Sequence, residues 1–359
     1  AQSSLSAIRL MGTIVLARYL VPEEFGLVGM ATVVTGFLDM FRDAGLSTVT
    51  VQRKHLSAAD LNSLFWLNLA LGSAVALTIA AAGPFLSWLY NEPRMVLISL
   101  ALAAITAIGS TGIQHRALVR RQLNFQKIAL IDVGSGIVSV AVGIVTARLG
   151  AGYWALIAML AASSLTSTAL FSLSSGWVPS RPRIAKNTRE FVEFGANLTG
   201  ASLLSTLAGR ADNFLIAHYW GAAALGIYDR AYQLMMMPLR QFDNALGSAI
   251  LPSLARIQDD MERTRRAIFR AQSITFAITI PATASLLVFA REVIGLVLGP
   301  KWADVVPIFQ VLAAVTLFMS ICRPLGWVLR AHGKRKLILR LEAGGAVLAI
   351  LAFTIGVQW

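Results

Sequence analysis

The sequence predicts an all-α, polytopic membrane protein: two helical bundles related by a parallel repeat, with 6 + 5 transmembrane helices. Three observations carry this reading. Of 359 residues, 56% are hydrophobic and only 14% are charged, against roughly 25% charged in an ordinary soluble domain. The apolar residues fall into eleven runs of about 20, the length that crosses a bilayer as a helix. The second half of the chain repeats the first at an offset of 200 to 210 residues.

The runs are set by charged and Pro/Gly-bearing breaks. The first, 3–20, carries Arg18 near its end, and the second, 25–46, precedes Arg53 and Lys54. The third, 61–83, is followed by the aromatic stretch Pro84–Pro93, expected to lie along the membrane surface, and by Arg94. The fourth, 95–115, leads into Arg116, Arg120, Arg121 and Lys127. The fifth, 126–148, closes at Arg148, and the sixth, 152–174, runs into Arg181, Arg183, Lys186 and Arg189. The seventh (194–219) and eighth (224–250) are barely separated. Five arginines between 256 and 270 follow the eighth. Arg291 and Lys301 follow the ninth (268–290), and five basic residues between 330 and 340 follow the tenth (304–329). The eleventh is 336–357. These connections leave no room for a folded soluble domain.

The chain has 31 basic and 18 acidic residues, a formal charge of +13 and a pI near 10.7. Twenty of the 31 follow even-numbered helices, five follow odd-numbered ones, and six lie within helices. Cytoplasmic loops are enriched in Lys and Arg, so this asymmetry predicts a cytoplasmic N-terminus. It also removes nucleic acid as a partner. Tyr19, Trp88, Tyr90, Tyr153, Trp154, Tyr219, Trp220, Trp302 and Trp359 fall at predicted outer ends, as an aromatic interface belt would.

The repeat aligns Ala17-Arg-Tyr19 with Ala217-His-Tyr219, Gly26-Leu27 with Gly226-Ile227, and Asp43 with Asp243. Further on it aligns Leu102-Ala-Ala-Ile-Thr106 with Leu312-Ala-Ala-Val-Thr316. Both copies begin at an odd-numbered helix, so they share an orientation, as parallel transporter repeats do. The expected organisation is an N-terminal lobe 1–176, a cytoplasmic linker 177–193 and a C-terminal lobe 194–359. The repeat calls for a twelfth helix beyond Trp359, so the second lobe reads as truncated.

Cys322 is the single cysteine, and four scattered histidines form no HxxxH pair. That excludes a disulfide framework and a Cys-based zinc site. Phosphate-binding, nucleophile-elbow and calcium-loop signatures are absent. No cofactor, metal or enzyme chemistry is expected.

Charges inside a membrane usually face a bundle interior. Arg210, Arg42, Arg240, Arg323 and Arg9 are the candidates for a cationic lumen, headed by Arg210, deep in its helix. Such a lumen suits a diphosphate head group, which arginine binds through paired N–H donors. Asp39, Asp43, Asp243 and Asp212 are the candidates for proton or sodium coupling. Ion pairs that hold helices together are the structural alternative. Pro238, Pro281, Gly195, Gly200, Gly209 and Gly134-Ser-Gly136 mark bends or close helix packing.

Several segments resemble one family. Ile14-Val-Leu-Ala-Arg-Tyr-Leu-Val-Pro-Glu-Glu-Phe-Gly-Leu27 is similar to the first hairpin of bacterial polysaccharide-export flippases. Asp43-Ala-Gly-Leu46, Val51-Gln-Arg-Lys54 and Phe65-Trp-Leu-Asn68 follow in order. So do Gly209-Arg-Ala-Asp-Asn-Phe-Leu-Ile216, Leu225-Gly-Ile-Tyr-Asp-Arg-Ala-Tyr232 and Phe309-Gln-Val-Leu312. The resemblance is to Wzx-type flippases, the colanic-acid-like branch of lipopolysaccharide biosynthesis proteins. They belong to the multidrug/oligosaccharidyl-lipid/polysaccharide exporter superfamily. It implies two six-helix bundles around a cavity open to one side at a time. It also implies translocation of an undecaprenyl-diphosphate-linked oligosaccharide across the bacterial cytoplasmic membrane, with Arg210 in the matching Arg-Ala-Asp-Asn stretch. Lipid-linked oligosaccharide, membrane lipids and a coupling ion are the expected partners. A cation-coupled multidrug antiporter on the same fold is the alternative, and a membrane-embedded glycosyltransferase or ligase ranks behind it.

Overall fold

Every regular element is helical among the residues that the computed structural model describes, 2–53, 55–182, 211–256, 260–331 and scattered positions between 337 and 356. The helices are α1 (Gln2–Tyr19), α2 (Pro22–Asp43), α3 (Leu46–Gln52), α4 (Ala58–Tyr90), α5 (Arg94–Arg121), α6 (Phe125–Arg148) and α7 (Trp154–Ser175). After these come α8 (Ala211–Arg256), α9 (Met261–Val288), α10 (Ala290–Val297) and α11 (Val305–Ala331). Of these, α2, α4, α5, α6, α7 and α9 are long and apolar enough to cross a bilayer. The protein is a multi-pass membrane protein. Leu149, Leu173 and Val178 are 80% exposed or more, as side chains solvated by lipid are.

The chain divides into two units, Ala1–Ala223 and Ala224–Trp359. In the first, α4 and α5 form a long hairpin. Helix α7 packs on α5, α6 on α7 and α1 on α6, while α2 closes against α4 and α5. Lipid tails give no hydrophobic drive between helices, so close backbone approach through small residues supplies the contact. A Cβ added at Gly112 of α5 would stand 3.2 Å from the Thr168 Cα of α7, and one at Gly143 of α6 would stand 3.2 Å from the Met159 Cβ. In the second unit α9 packs on α11, with α10 against both.

The two ends of the first unit are tied differently. At one, the glutamate end, Arg94 donates to Glu92 at 2.7 Å and to Glu23 at 2.6 Å. The Arg94 guanidinium holds the Glu92 carboxyl below its ordinary pKa. Arg148 donates to the Tyr19 hydroxyl at 3.0 Å, and Glu24 accepts the Val21 N–H at 2.9 Å. The turn of residues 19–24 is thereby pinned to the α4–α5 turn and to the end of α6.

Toward the opposite, basic end, α2 stops at the level of the middle of α4 and α5, where Ala44 and Gly45 turn left-handed (φ 42° and 74°), and α3 continues to that end. Arg121 donates to the Thr50 and Arg53 carbonyls at 2.5 and 2.7 Å and fixes the end of α3. Ser57 and Asp60 cap α4 reciprocally, which satisfies two orphan donors. Gly176 (φ 64°) ends α7, and the following chain straps back over α4. Asn62 accepts the Ser180 N–H at 2.9 Å and donates to the Arg181 carbonyl at 2.7 Å. Trp66 donates to the Ser180 carbonyl at 2.8 Å. Trp177 seats its ring against Phe65 and His115, at 5.7 and 5.5 Å between centroids.

Two expectations change. Pro84–Tyr90 is not a separate surface segment but the last turns of α4, whose 33 residues run about 50 Å. Pro84 costs one backbone hydrogen bond, a loss that membrane helices tolerate. The break between the seventh and eighth runs stays where the sequence puts it: Gly221 leaves helical geometry (φ 77°, ψ −171°) and divides Ala211–Arg256 into two helical stretches. Trp302 is fully buried while Trp88 is 76% exposed, so Trp302 packs as core rather than as interface belt.

Candidate functional site

Three described charges, Asp39, Arg42 and Asp43, lie in the last turns of α2. Asp39 and Arg42 stand one turn apart, with Oδ1 and Nη1 at 3.7 Å. That is an ion pair beyond hydrogen-bond range. Asp39 Oδ1 is buried and has no hydrogen-bond partner. Asp43, which the sequence groups with them, is spent elsewhere. Its carboxylate accepts the Ser47 N–H at 2.8 Å and the Ser47 hydroxyl, starting α3.

Arg42 lies in a slot made by two glycines. A Cβ added at Gly72 of α4 would stand 3.5 Å from the Arg42 Cγ. One at Gly109 of α5 would stand 3.1 Å from the Arg42 Nη1 and 3.0 Å from the Ser164 Oγ of α7. The side chain is 31% exposed. Among the described residues its only partner is Asp39, and none of its five N–H donors makes a hydrogen bond there. Two other described acid–base pairs are within hydrogen-bond range. Asp132 binds Arg116 at 2.9 Å. Asp229 pairs with Arg230 and accepts from Gln233.

One turn along the α4–α5 seam, the buried pair Asn68 and Gln114 continues the polar track. Gln114 Oε1 accepts from Thr50 at 3.3 Å and from Asn68 Nδ2 at 3.5 Å. Gln114 Nε2 and Asn68 Oδ1 stay unpaired. Flipping both amides exchanges their roles but still orphans one donor and one acceptor.

Of the predicted lumen arginines, the structure places Arg42 at this site. Arg210 lies outside the described residues. Arg9, Arg240 and Arg323 have backbones in α1, α8 and α11, but their side chains, and that of Asp243, lie outside the described part. Asp212 stands in the first turn of α8 and accepts the Asn213 N–H at 2.8 Å. Sequence reasoning missed Gly72, Gly109, Asn68 and Gln114. Phe65-Trp-Leu-Asn68 stood out only as family resemblance, and Gly109-Ser110 reads as a routine small pair. The described residues hold no cluster of His, Cys, Asp or Glu that could bind a metal.

Comparison with known proteins adds a second line. The sequence model of one family, described as "Polysaccharide biosynthesis protein", matches residues 15–307. The chain is similar to the lipopolysaccharide biosynthesis protein WzxC of Escherichia coli K12, with 28% identity over 354 residues. That covers 96% of this chain and 70% of WzxC. Among solved structures, the lipid II flippase MurJ in an inward closed conformation superposes with a TM-score of 0.70 at 15% identity, over 99% of this chain and 84% of MurJ. An inward-facing multidrug transporter of the MATE family superposes with a TM-score of 0.66 at 16% identity, over 98% and 84%. These two show a shared fold.

Proposed function

On the premise that the chain belongs to the polysaccharide biosynthesis protein family, we propose that it flips an undecaprenyl-diphosphate-linked oligosaccharide from the cytoplasmic to the outer leaflet of a bacterial inner membrane. The cargo feeds surface or exopolysaccharide assembly, and none of its bonds is made or broken. Two lobes, 1–176 and 194–359 joined by the linker 177–193, alternate in access, and the N-terminus faces the cytoplasm. The flippase WzxC-like kinship and the twenty-to-five split of basic residues support cargo and orientation.

The observation that carries the reading is Arg42: an arginine within a membrane-spanning helix whose donors make no hydrogen bond among the described residues. A guanidinium held by glycine walls and one distant carboxylate is free to close on a diphosphate in paired N–H···O geometry. Arg210, Arg9, Arg240 and Arg323 complete the cationic lumen in this proposal. Coupling to protons or sodium falls on Asp39, with its unpaired oxygen, ahead of Asp212, Asp243 and the Ser47-bound Asp43.

The test is reconstitution in proteoliposomes with a fluorescent lipid-linked oligosaccharide. A charged hydrogen bond is worth about 1.5–3 kcal/mol, so Arg42→Ala should slow flipping about 10–150-fold. Arg42→Lys should recover part of it, because lysine keeps the charge and loses the fork. Flipping by Arg42→Ala at the wild-type rate overturns the assignment. Flipping by Asp39→Asn with unchanged ion dependence removes Asp39 as the coupling group.

A further inference from the structure

The α5–α6 turn has features that transport does not use. It joins two helices that each span the bilayer, so it lies at the membrane surface. It lies at the basic end, which the positive-inside rule puts at the cytoplasmic leaflet. Its two large side chains point away from the protein: Leu123 is 69% exposed and Phe125 61%.

Leu123 has φ 54°. The left-handed region is sterically costly for a branched, bulky residue, and turns normally place Gly or Asn there. The conformation is nevertheless held. The Leu123 N–H donates to the Arg120 carbonyl at 3.0 Å, the Phe125 N–H to the Leu123 carbonyl at 2.9 Å, and Asn124 caps α6 by accepting the Lys127 N–H at 3.1 Å. The turn therefore spends steric strain to present a leucine outward. In water that leucine would gain nothing, whereas at a headgroup boundary it reaches hydrocarbon.

The charges sort the same way. Arg121 is bound to backbone carbonyls, Lys127 to the Ser174 carbonyl and Arg116 to Asp132. Arg120, one turn before Leu123, is exposed and has no side-chain partner among the described residues. We propose that this turn is an interfacial wedge that binds an anionic glycerophospholipid of the cytoplasmic leaflet. Leu123 and Phe125 enter the acyl-chain boundary, and the Arg120 guanidinium takes the lipid phosphate. The wedge fixes the depth of α5 and α6 in the membrane and stands whether or not the cargo assignment holds.

The experiment uses the full chain with Cys322→Ser, carrying Leu123→Cys or Phe125→Cys labelled with an environment-sensitive dye, in vesicles of phosphatidylcholine and phosphatidylglycerol. Both labels should be quenched by lipids bearing a nitroxide near the glycerol and spared by aqueous iodide. Quenching by iodide as for free dye overturns the wedge. Shielding from both quenchers overturns it too, because another part of the protein then covers the turn. In detergent, phosphatidylglycerol should raise the unfolding temperature, and phosphatidylcholine or inorganic phosphate should not. Arg120→Gln should weaken the phosphatidylglycerol response about fivefold, the effect of one surface arginine at an anionic membrane, and Arg120→Lys should retain most of it. An unchanged response in Arg120→Gln, or an equal response to inorganic phosphate, overturns the phosphate assignment.

Discussion

Three alanine substitutions at glycines separate the roles of packing and of the arginine slot. Gly112, Gly109 and Gly134 all lie inside helices, so each change gains a similar helix propensity of about 1 kcal/mol. They differ in what the new methyl meets. At Gly134 nothing lies within 4 Å, so Gly134→Ala keeps the gain. At Gly112 the methyl meets Thr168 Cα and Cβ, both at 3.2 Å, about 0.5 Å inside ordinary carbon contact. The Thr168 hydroxyl, 2.8 Å away, can rotate, but the backbone can yield only if α5 and α7 separate. Such overpacking costs about 1–3 kcal/mol, so Gly112→Ala should be less stable than Gly134→Ala by that amount. At Gly109 the neighbours are the ends of two side chains, Arg42 and Ser164. Gly109→Ala should therefore fold nearly as well as Gly134→Ala but push the guanidinium out of place and slow flipping. Thermal unfolding followed by tryptophan fluorescence reads the first effect, and the reconstituted flipping assay reads the second. Equal stability of the alanines at 112 and 134 would refute the close α5–α7 approach. Wild-type flipping by Gly109→Ala would refute the slot.

Other outcomes follow from the same contacts. The Glu92 carboxyl is held below its ordinary pKa by Arg94, so its contribution to stability is complete above the unfolded value of about 4.3 and is lost as pH falls through the depressed folded value. Thermal stability should decline in that acid window, and the decline should be smaller in Arg94→Gln. Asn62→Ala removes both hydrogen bonds to the strap, so hydrogen exchange at the Ser180 amide should rise to the rate of a free segment while the amides of α4 stay protected. Unchanged protection would show that Trp66 and Trp177 alone hold the strap. Leu123→Gly relieves a left-handed leucine and should stabilise the detergent-solubilised protein by about 1 kcal/mol. A loss of stability there would mean that Leu123 packs on protein.

Helix class, order and approximate spans were legible because hydrocarbon length and charge breaks act locally along the chain. The strap was not. Asn62, Trp66 and Trp177 are ordinary residues in the sequence, and only the fold shows that two of them grip the backbone of Ser180. The α2 cluster was half legible. Spacing put Arg42 beside Asp39, which the ion pair bears out, and it put Asp43 on the same face as Asp39. It did not reveal that Ser47, beyond the left-handed Gly45, takes Asp43 away. Trp302 misled because a tryptophan after Pro300-Lys301 reads as an interface residue, whereas the chain folds it into the core of its unit.

The same accounting of donors sorts the basic excess by role. At the glutamate end of the first unit, Arg94 pairs with Glu92 and Glu23. At the basic end, Arg121 and Lys127 bond neutral carbonyls of Thr50, Arg53 and Ser174. Those contacts hold α3, α5 and α7 together and leave the positive charge in place. Structural bonding and the topology signal are thus the work of one set of residues, achieved by pairing arginines with carboxylates at one end and with carbonyls at the other. A cation available for cargo must be one that neither task consumes. In the described part of the first unit, Arg42 within the membrane meets that condition beside an unpaired carboxylate oxygen, while Arg120 at the surface shares in the topology signal but makes no structural bond among the described residues and stands beside two exposed apolar side chains. The difference in surroundings is why a translocated diphosphate is assigned to the first and a resident phospholipid to the second.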